Sequence, residues 1–226
     1  VNNMEQIQAI MQAARETKSP LIIQASHGAL KYSNMVYLKY LMQAAVEENP
    51  DIPVAMHLDH GPDFETVKQA IALGFSSVMI DGSLDYASKD DSGAHPARSF
   101  EDNIRVTREV VEYAHERGVS VEGELGTLGG IEDDTVAASA NLTNPDECEQ
   151  FVRETGVDAL AVAIGTSHGA YKFKEKPTLA LDLVSKIRER VPNTRLVMHG
   201  SSSVPPELVA EVNKYGGKLE KTMGVP

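Results

Sequence analysis

Six times along this chain a short apolar run stops abruptly at a polar, metal-capable or catalytic-type residue. The runs are LIIQAS, ending at Ser26; PVAMHLDH, ending at Asp59 and His60; SSVMID, ending at Asp81; VSVEGE, ending at Glu124; ALAVAIGTSH, ending at His168; and RLVMH, ending at His199. After each, a loop leads into a longer stretch whose apolar residues recur three and four apart, the period of an amphipathic helix. Runs that are apolar on both faces read as parallel strands buried between helices. Strands that alternate with helices and present their chemistry at the carboxyl ends are the layout of a β/α barrel. The expected fold class is therefore α/β, a TIM (β/α)8 barrel.

The pattern predicts helices over 4–17, 34–48, 63–74, 99–117, 145–155, 178–190 and 205–214, with strands between them. Pro62 is expected near the start of the 63–74 helix, where a missing N–H costs little. Ser99 reads as an N-cap and Gly118 as the residue just past a helix end. Residues 84–98 are polar and turn-rich and read as a surface excursion. The Gly-rich, acidic stretch after Glu124 reads as a long loop of the functional kind. With no linker or second core in view, 1–226 is expected to be a single domain. A barrel of this type needs eight strands. The sequence reads as lacking most of the first strand, of which Val1-Asn2-Asn3 would be the tail, and the eighth.

Bulk composition narrows the partners. The formal net charge of −12 argues against a nucleic-acid backbone or an anionic membrane surface. No apolar run reaches the roughly 18 residues a membrane-spanning helix needs. The single cysteine, Cys148, can form no internal disulfide and suits a reducing compartment. A cytoplasmic protein is expected.

Three histidines, His60, His168 and His199, fall on three different strand ends. Three neutral imidazoles with an open fourth position make a catalytic zinc shell. A hydrogen-bonded core histidine is the bland alternative for any one of them, and it weakens when three stand at equivalent places. Asp59, adjacent to a candidate ligand, could shuttle a proton or orient a histidine. Asp81 and Glu124 could supply a second metal position, hold the ligands, or form plain salt bridges. Glu132 lies on a Gly-flexible stretch that could swing over a substrate, although its composition alone fits a solvated acidic loop better. His57 reads as a packed barrel residue, His27 as rimming the site, and His95 and His115 as solvated. The turns SHGA at 167–170 and HGSSS at 199–203 offer backbone N–H groups and hydroxyls suited to phosphate oxygens, with Lys172 adding charge behind the first. Together these point to a phosphorylated substrate.

Taken in order, QASHGA, HLDHGPDFE, SSVMIDGS, VEGELGTLGG followed by IED, IGTSHGAYKF and MHGSSSVP resemble the class II, metal-dependent fructose-1,6-bisphosphate aldolases along the whole chain. The resemblance implies a β/α barrel that reversibly cleaves fructose 1,6-bisphosphate to dihydroxyacetone phosphate and glyceraldehyde 3-phosphate, in glycolysis, gluconeogenesis or the Calvin cycle. It implies Zn2+, a monovalent cation such as Na+ or K+, and a homodimer or homotetramer. By motif, His60, His168 and His199 are the zinc ligands, and Asp59 exchanges the proton of the C4 hydroxyl. Asp81 and Glu124 hold a second or displaced metal. Glu132 moves the C3 proton of dihydroxyacetone phosphate, and Ser26, Gly169, Gly200, Ser201 and Ser202 contact substrate and phosphate.

The chemistry suits the residues. Retro-aldol cleavage leaves an enediolate, and a metal stabilises its charge without a Schiff-base lysine. No lysine here ends an apolar strand. Three alternatives remain open at this stage. A tagatose-1,6-bisphosphate aldolase differs in configuration at C4, a barrel metallohydrolase would use zinc to activate water, and a non-catalytic scaffold barrel would need no metal.

Overall fold

The computed structural model describes residues 1–132, 135–136, 141–168, 179–200 and 206–214. They fall into two compact units, one made of Val1–Asp81 with Arg105–Gly123, the other of Gly82–Ile104 with Glu124–Pro226. Two elements run from one unit into the next along the chain: helix α5 (Phe100–His115) and strand β4 (Ser120–Leu125).

The first unit opens with α1 (Met4–Thr17), capped by the Asn3 side chain, which accepts the N–H of Gln6. Strand β1 (Leu21–Ser26) follows, then α2 (His27–Ser33), α3 (Met35–Glu48), β2 (Val54–Gly61), α4 (Phe64–Ala72) and β3 (Ser77–Ile80). β1, β2, β3 and the start of β4 lie side by side in that order, all parallel. The core is assembled from one stripe of each helix against the strands. Ile7, Met11 and Ala14 of α1, Leu38 and Met42 of α3, and Val67 and Ala70 of α4 are all buried, as are Leu58, Val78, Met79 and Ile80.

α2 is an addition to the expected elements. The Ser26 hydroxyl accepts the N–H of Ala29 and starts a helix at once at the end of β1. Asn34, at φ 64°, then breaks the chain direction and caps α3 by accepting the N–H of Val36; asparagine tolerates the left-handed region better than most residues. α4 begins one residue later than expected, because Asp63 is its cap. Pro62 stands next to that cap, near the helix start as expected.

The second unit contains the end of β4, then β5 (Gly129–Glu132), β6 (Thr135–Val136), α6 (Pro145–Thr155), β7 (Ala159–Val162), β8 (Ser167–His168), α7 (Leu181–Arg190), β9 (Arg195–Val197) and α8 (Pro206–Lys214). β7 and β9 pair in parallel, Leu160 opposite Leu196. Phe151 of α6, fully buried, packs near Phe100 with ring centres 6.4 Å apart. α6 carries Pro145 at its start behind the Asn144 cap, and Gly156 closes it in the left-handed conformation. All six strands expected from the apolar runs form.

Two readings are corrected here. The stretch after Glu124 is not a plain loop. β5 lies antiparallel to β6 and parallel to β8, with Gly129 opposite Ser167 and Gly130 opposite His168. Its ends are tied by a Thr127–Asn141 bridge with both backbone N–H···O distances at 3.0 Å. The second correction concerns His95, which is only 7% exposed. Its Nδ1 lies 2.8 Å from the Ser88 carbonyl and its ring packs beside Tyr86. The polar stretch around it closes on itself through the Leu84–Ala97 bridge and an Arg98–Asp85 ion pair at 3.3 Å, so a histidine in hydrophilic sequence becomes the core of a small hairpin-like excursion.

Candidate metal and substrate site

In the first unit the carboxyl ends of β1, β2 and β3 bring four of the expected residues together. Ser26 stands directly opposite Asp59 in the ladder between β1 and β2. Side chains two apart on a strand share a face, so Gln24 points the same way as Ser26. Its Nε2 donates to Asp59 Oδ2 at 2.9 Å, and Asp59 is 6% exposed. Gln24 was not singled out in the sequence, although a glutamine interrupting an apolar strand run was a signal that could have found it. Asp81, buried just past β3, has its Oδ2 3.8 Å from His60 Nδ1.

The backbone explains how His60 is presented. The ladder between β2 and β3 loses register between Leu58 and Gly61, and His60 sits at φ 45°, in the left-handed region. An L-residue there costs about 1–2 kcal/mol, a cost that clusters at functional sites where surrounding structure enforces it. The enforcement is visible at Gly61. A Cβ on that residue would stand 2.6 Å from the Met79 carbonyl oxygen, and the Gly61 carbonyl accepts the N–H of Asp81 at 3.1 Å. The irregularity therefore packs β2 tightly on β3 and re-aims the residue before Gly61.

Further toward the strand starts, His57 is buried as expected for a packed residue. Its Nδ1 is 2.7 Å from Ser77 Oγ and its Nε2 3.8 Å from Glu122.

In the second unit, Glu124 is 2% exposed near the end of β4, and its carbonyl accepts Asn103 Nδ2 at 2.8 Å. His168 ends β8, and His199 follows β9 in a turn. Their rings lie 6.0 Å apart between centres at an angle of 58°. An imidazole nitrogen sits about 2.0–2.1 Å from zinc, which puts the ring centres of two ligands on one ion roughly 5–6 Å apart. The pair thus fits two positions of a metal shell, and both rings are half-buried. In the first unit, the His60–Asp81 pair offers one nitrogen and one carboxylate oxygen of the kind that zinc accepts.

The pairing of Gly130 with His168 also bears on Glu132. Glu132 ends the strand whose Gly130 pairs with His168, and two residues along a strand advance about 6–7 Å. Gly200 is at φ 63°. Gly169, Lys172, Ser201 and Ser202 lie outside the described residues.

Comparison with known proteins follows the same residues. The family model described as fructose-bisphosphate aldolase class-II matches residues 1–218. A fructose-bisphosphate aldolase of Giardia intestinalis is 58% identical over 228 residues, and one of Nostoc sp. is 54% identical over 241. Each alignment takes in 100% of this chain and 66% of the relative, so the chain spans just under two thirds of those proteins' length. Among solved structures, the YdjI aldolase from Escherichia coli K12 superposes with a TM-score of 0.72 at 31% identity, over 93% of this chain and 68% of that one.

Proposed function

The chain belongs to the class-II fructose-bisphosphate aldolase family, whose fold is the β/α barrel expected from the strand runs, and from that premise we propose that it cleaves fructose 1,6-bisphosphate reversibly into dihydroxyacetone phosphate and glyceraldehyde 3-phosphate. The family is metal-dependent, and zinc is the metal proposed here, held by His60, His168 and His199. When bound, it supplies a Lewis acid for the negative charge that develops on the ketose oxygens. The observation that carries this reading is the His168–His199 pair, two half-buried imidazoles at a spacing suited to one ion.

The remaining roles belong to the protein's own groups. Asp59 takes the proton of the C4 hydroxyl as the C3–C4 bond breaks and returns it in the condensation direction. Gln24, by donating to one carboxylate oxygen, fixes the plane in which the other is presented. Glu132 moves the C3 proton of dihydroxyacetone phosphate, consistent with a strand whose backbone pairs beside His168. Asp81 and Glu124, both buried, offer a second divalent position. Ser26, Gly169, Lys172, Gly200, Ser201 and Ser202 are assigned to substrate and its phosphates, with Na+ or K+ assisting. The protein works in the cytoplasm as a homodimer or homotetramer, in glycolysis, gluconeogenesis or the Calvin cycle. Among the described residues no helix is long and apolar enough to cross a membrane.

The test is a coupled cleavage assay on fructose 1,6-bisphosphate and on its C4 epimer, tagatose 1,6-bisphosphate, with and without a chelator. Chelator-sensitive cleavage of the fructose ester, restored by zinc, is expected. Preference for the tagatose ester would reassign the substrate, and turnover indifferent to chelation would remove the metal from the account.

A further inference from the structure

We infer that Thr166 and Gly200 together set the spacing between His168 and His199, making Thr166 a positioning residue for metal binding. The inference rests on the reading of those two histidines as ligands. Thr166 lies between β7 and β8, two residues before His168, and is 5% exposed. Its Oγ1 donates to the carbonyl oxygen of His199 at 2.6 Å. One residue further along each segment, the contact is steric. Gly200 at φ 63° brings its Cα so close to the opposite backbone that a Cβ would stand 2.7 Å from the Ser167 carbonyl oxygen, 2.8 Å from its carbon and 2.9 Å from its nitrogen.

The two contacts act on adjacent peptide units and do different things. The hydrogen bond fixes the plane of the peptide that leaves His199, and so the direction in which that ring departs from the chain. The glycine leaves out a Cβ that would press on the Ser167 backbone and push the two segments apart. A metal shell tolerates ligand distances only within about 0.2 Å, whereas a histidine side chain has two free torsions and a turn can shift by more than that. Locking the backbones on which the two imidazoles stand leaves their 6.0 Å separation to be adjusted by rotamer alone. Threonine suits the task better than serine would, since its branched Cβ restricts χ1 and holds the hydroxyl in place. Groups that orient ligands from outside the coordination shell typically change metal affinity 10–100-fold.

The experiment measures zinc affinity by competition with a chromogenic chelator, on metal-stripped protein, and records the visible spectrum of the cobalt-loaded form. Thr166→Val keeps the shape and loses the donor; it is expected to weaken zinc binding about 10–100-fold and to shift the cobalt bands. Thr166→Ser keeps the hydroxyl and should stay within about threefold of the parent, a smaller step than loss of an orienting group. Gly200→Ala should weaken binding at least as much as Thr166→Val. Parent-like affinity and spectrum in Thr166→Val would overturn the inference. So would a loss in Thr166→Ser as large as that in Gly200→Ala, a comparison that stands even where Thr166→Val does not fold. A parent protein that binds no zinc would instead refute the ligand assignment itself, and the inference with it.

Discussion

Replacing Gly61 by alanine perturbs the site without touching a ligand. The added Cβ would stand 2.6 Å from the carbonyl oxygen of Met79, 3.1 Å from Leu58 Cδ2 and 3.2 Å from Val67 Cγ2. The first contact is against main chain in the middle of the sheet and cannot be relieved by a side-chain rotation. The strands must part or β2 must tilt. Overpacking of this kind in a close-packed interior costs about 1–3 kcal/mol. For a protein of this size, 1 kcal/mol corresponds to roughly 2–4 °C in the melting midpoint. A drop of about 3–10 °C is therefore expected for Gly61→Ala in the metal-free protein. Displacement of the irregularity that presents His60 should also weaken zinc binding, so the shortfall in midpoint should widen when zinc is added. Differential scanning fluorimetry with and without zinc reads both effects. An unchanged midpoint would refute the packing argument. A lowered midpoint whose gap does not widen with zinc would refute the claim that this packing presents a ligand.

Three further outcomes follow from the same structure. In metal-free protein, His60→Gly should be more stable than His60→Ala by about 1 kcal/mol, because only glycine adopts φ 45° without penalty; equal denaturation midpoints would mean that His60 is not strained. Glu132→Ala should retain its zinc and yet stop exchange of the C3 proton of dihydroxyacetone phosphate with solvent, followed by NMR in D2O, and normal exchange would remove Glu132 from the mechanism. Burial pushes the Cys148 thiol up to about 11, from an ordinary 9.0, so the folded state holds this proton more tightly than the unfolded one. Its contribution to stability is present below pH 9.0 and is lost as pH rises toward 11; the native thiol should react slowly with a disulfide reagent at pH 8 and quickly in urea, and rapid native labelling would contradict its burial.

The parallel strands were legible because largely buried strands leave short apolar runs, and in the first unit the residues closing those runs stand together at the carboxyl ends of β1, β2 and β3. Ser26 opposite Asp59 and His60 near Asp81 follow from that rule alone. What stayed hidden depends on contacts distant in sequence or on single torsions. The two-residue strand β8 and its partner β5 are too short to show a period, and glycines in β5 read as loop. The left-handed backbone at His60 carries no residue signature, because the glycine that enables it is its neighbour. His95 was misplaced because the composition of its stretch is polar, whereas its burial comes from a fold-back fixed by Ser88 and Tyr86. Thr166 has no pattern at all. Its importance appears only when the His199 carbonyl arrives from the next β/α repeat.

The central claim is that His60, His168 and His199 hold one metal. Anomalous diffraction at the zinc edge, on a crystal of the zinc-loaded protein, tests it most directly. The account predicts one dominant peak about 2.0–2.1 Å from a ring nitrogen of each of the three histidines. A dominant peak bound elsewhere, or three imidazoles that share no peak in a zinc-saturated crystal, would contradict it.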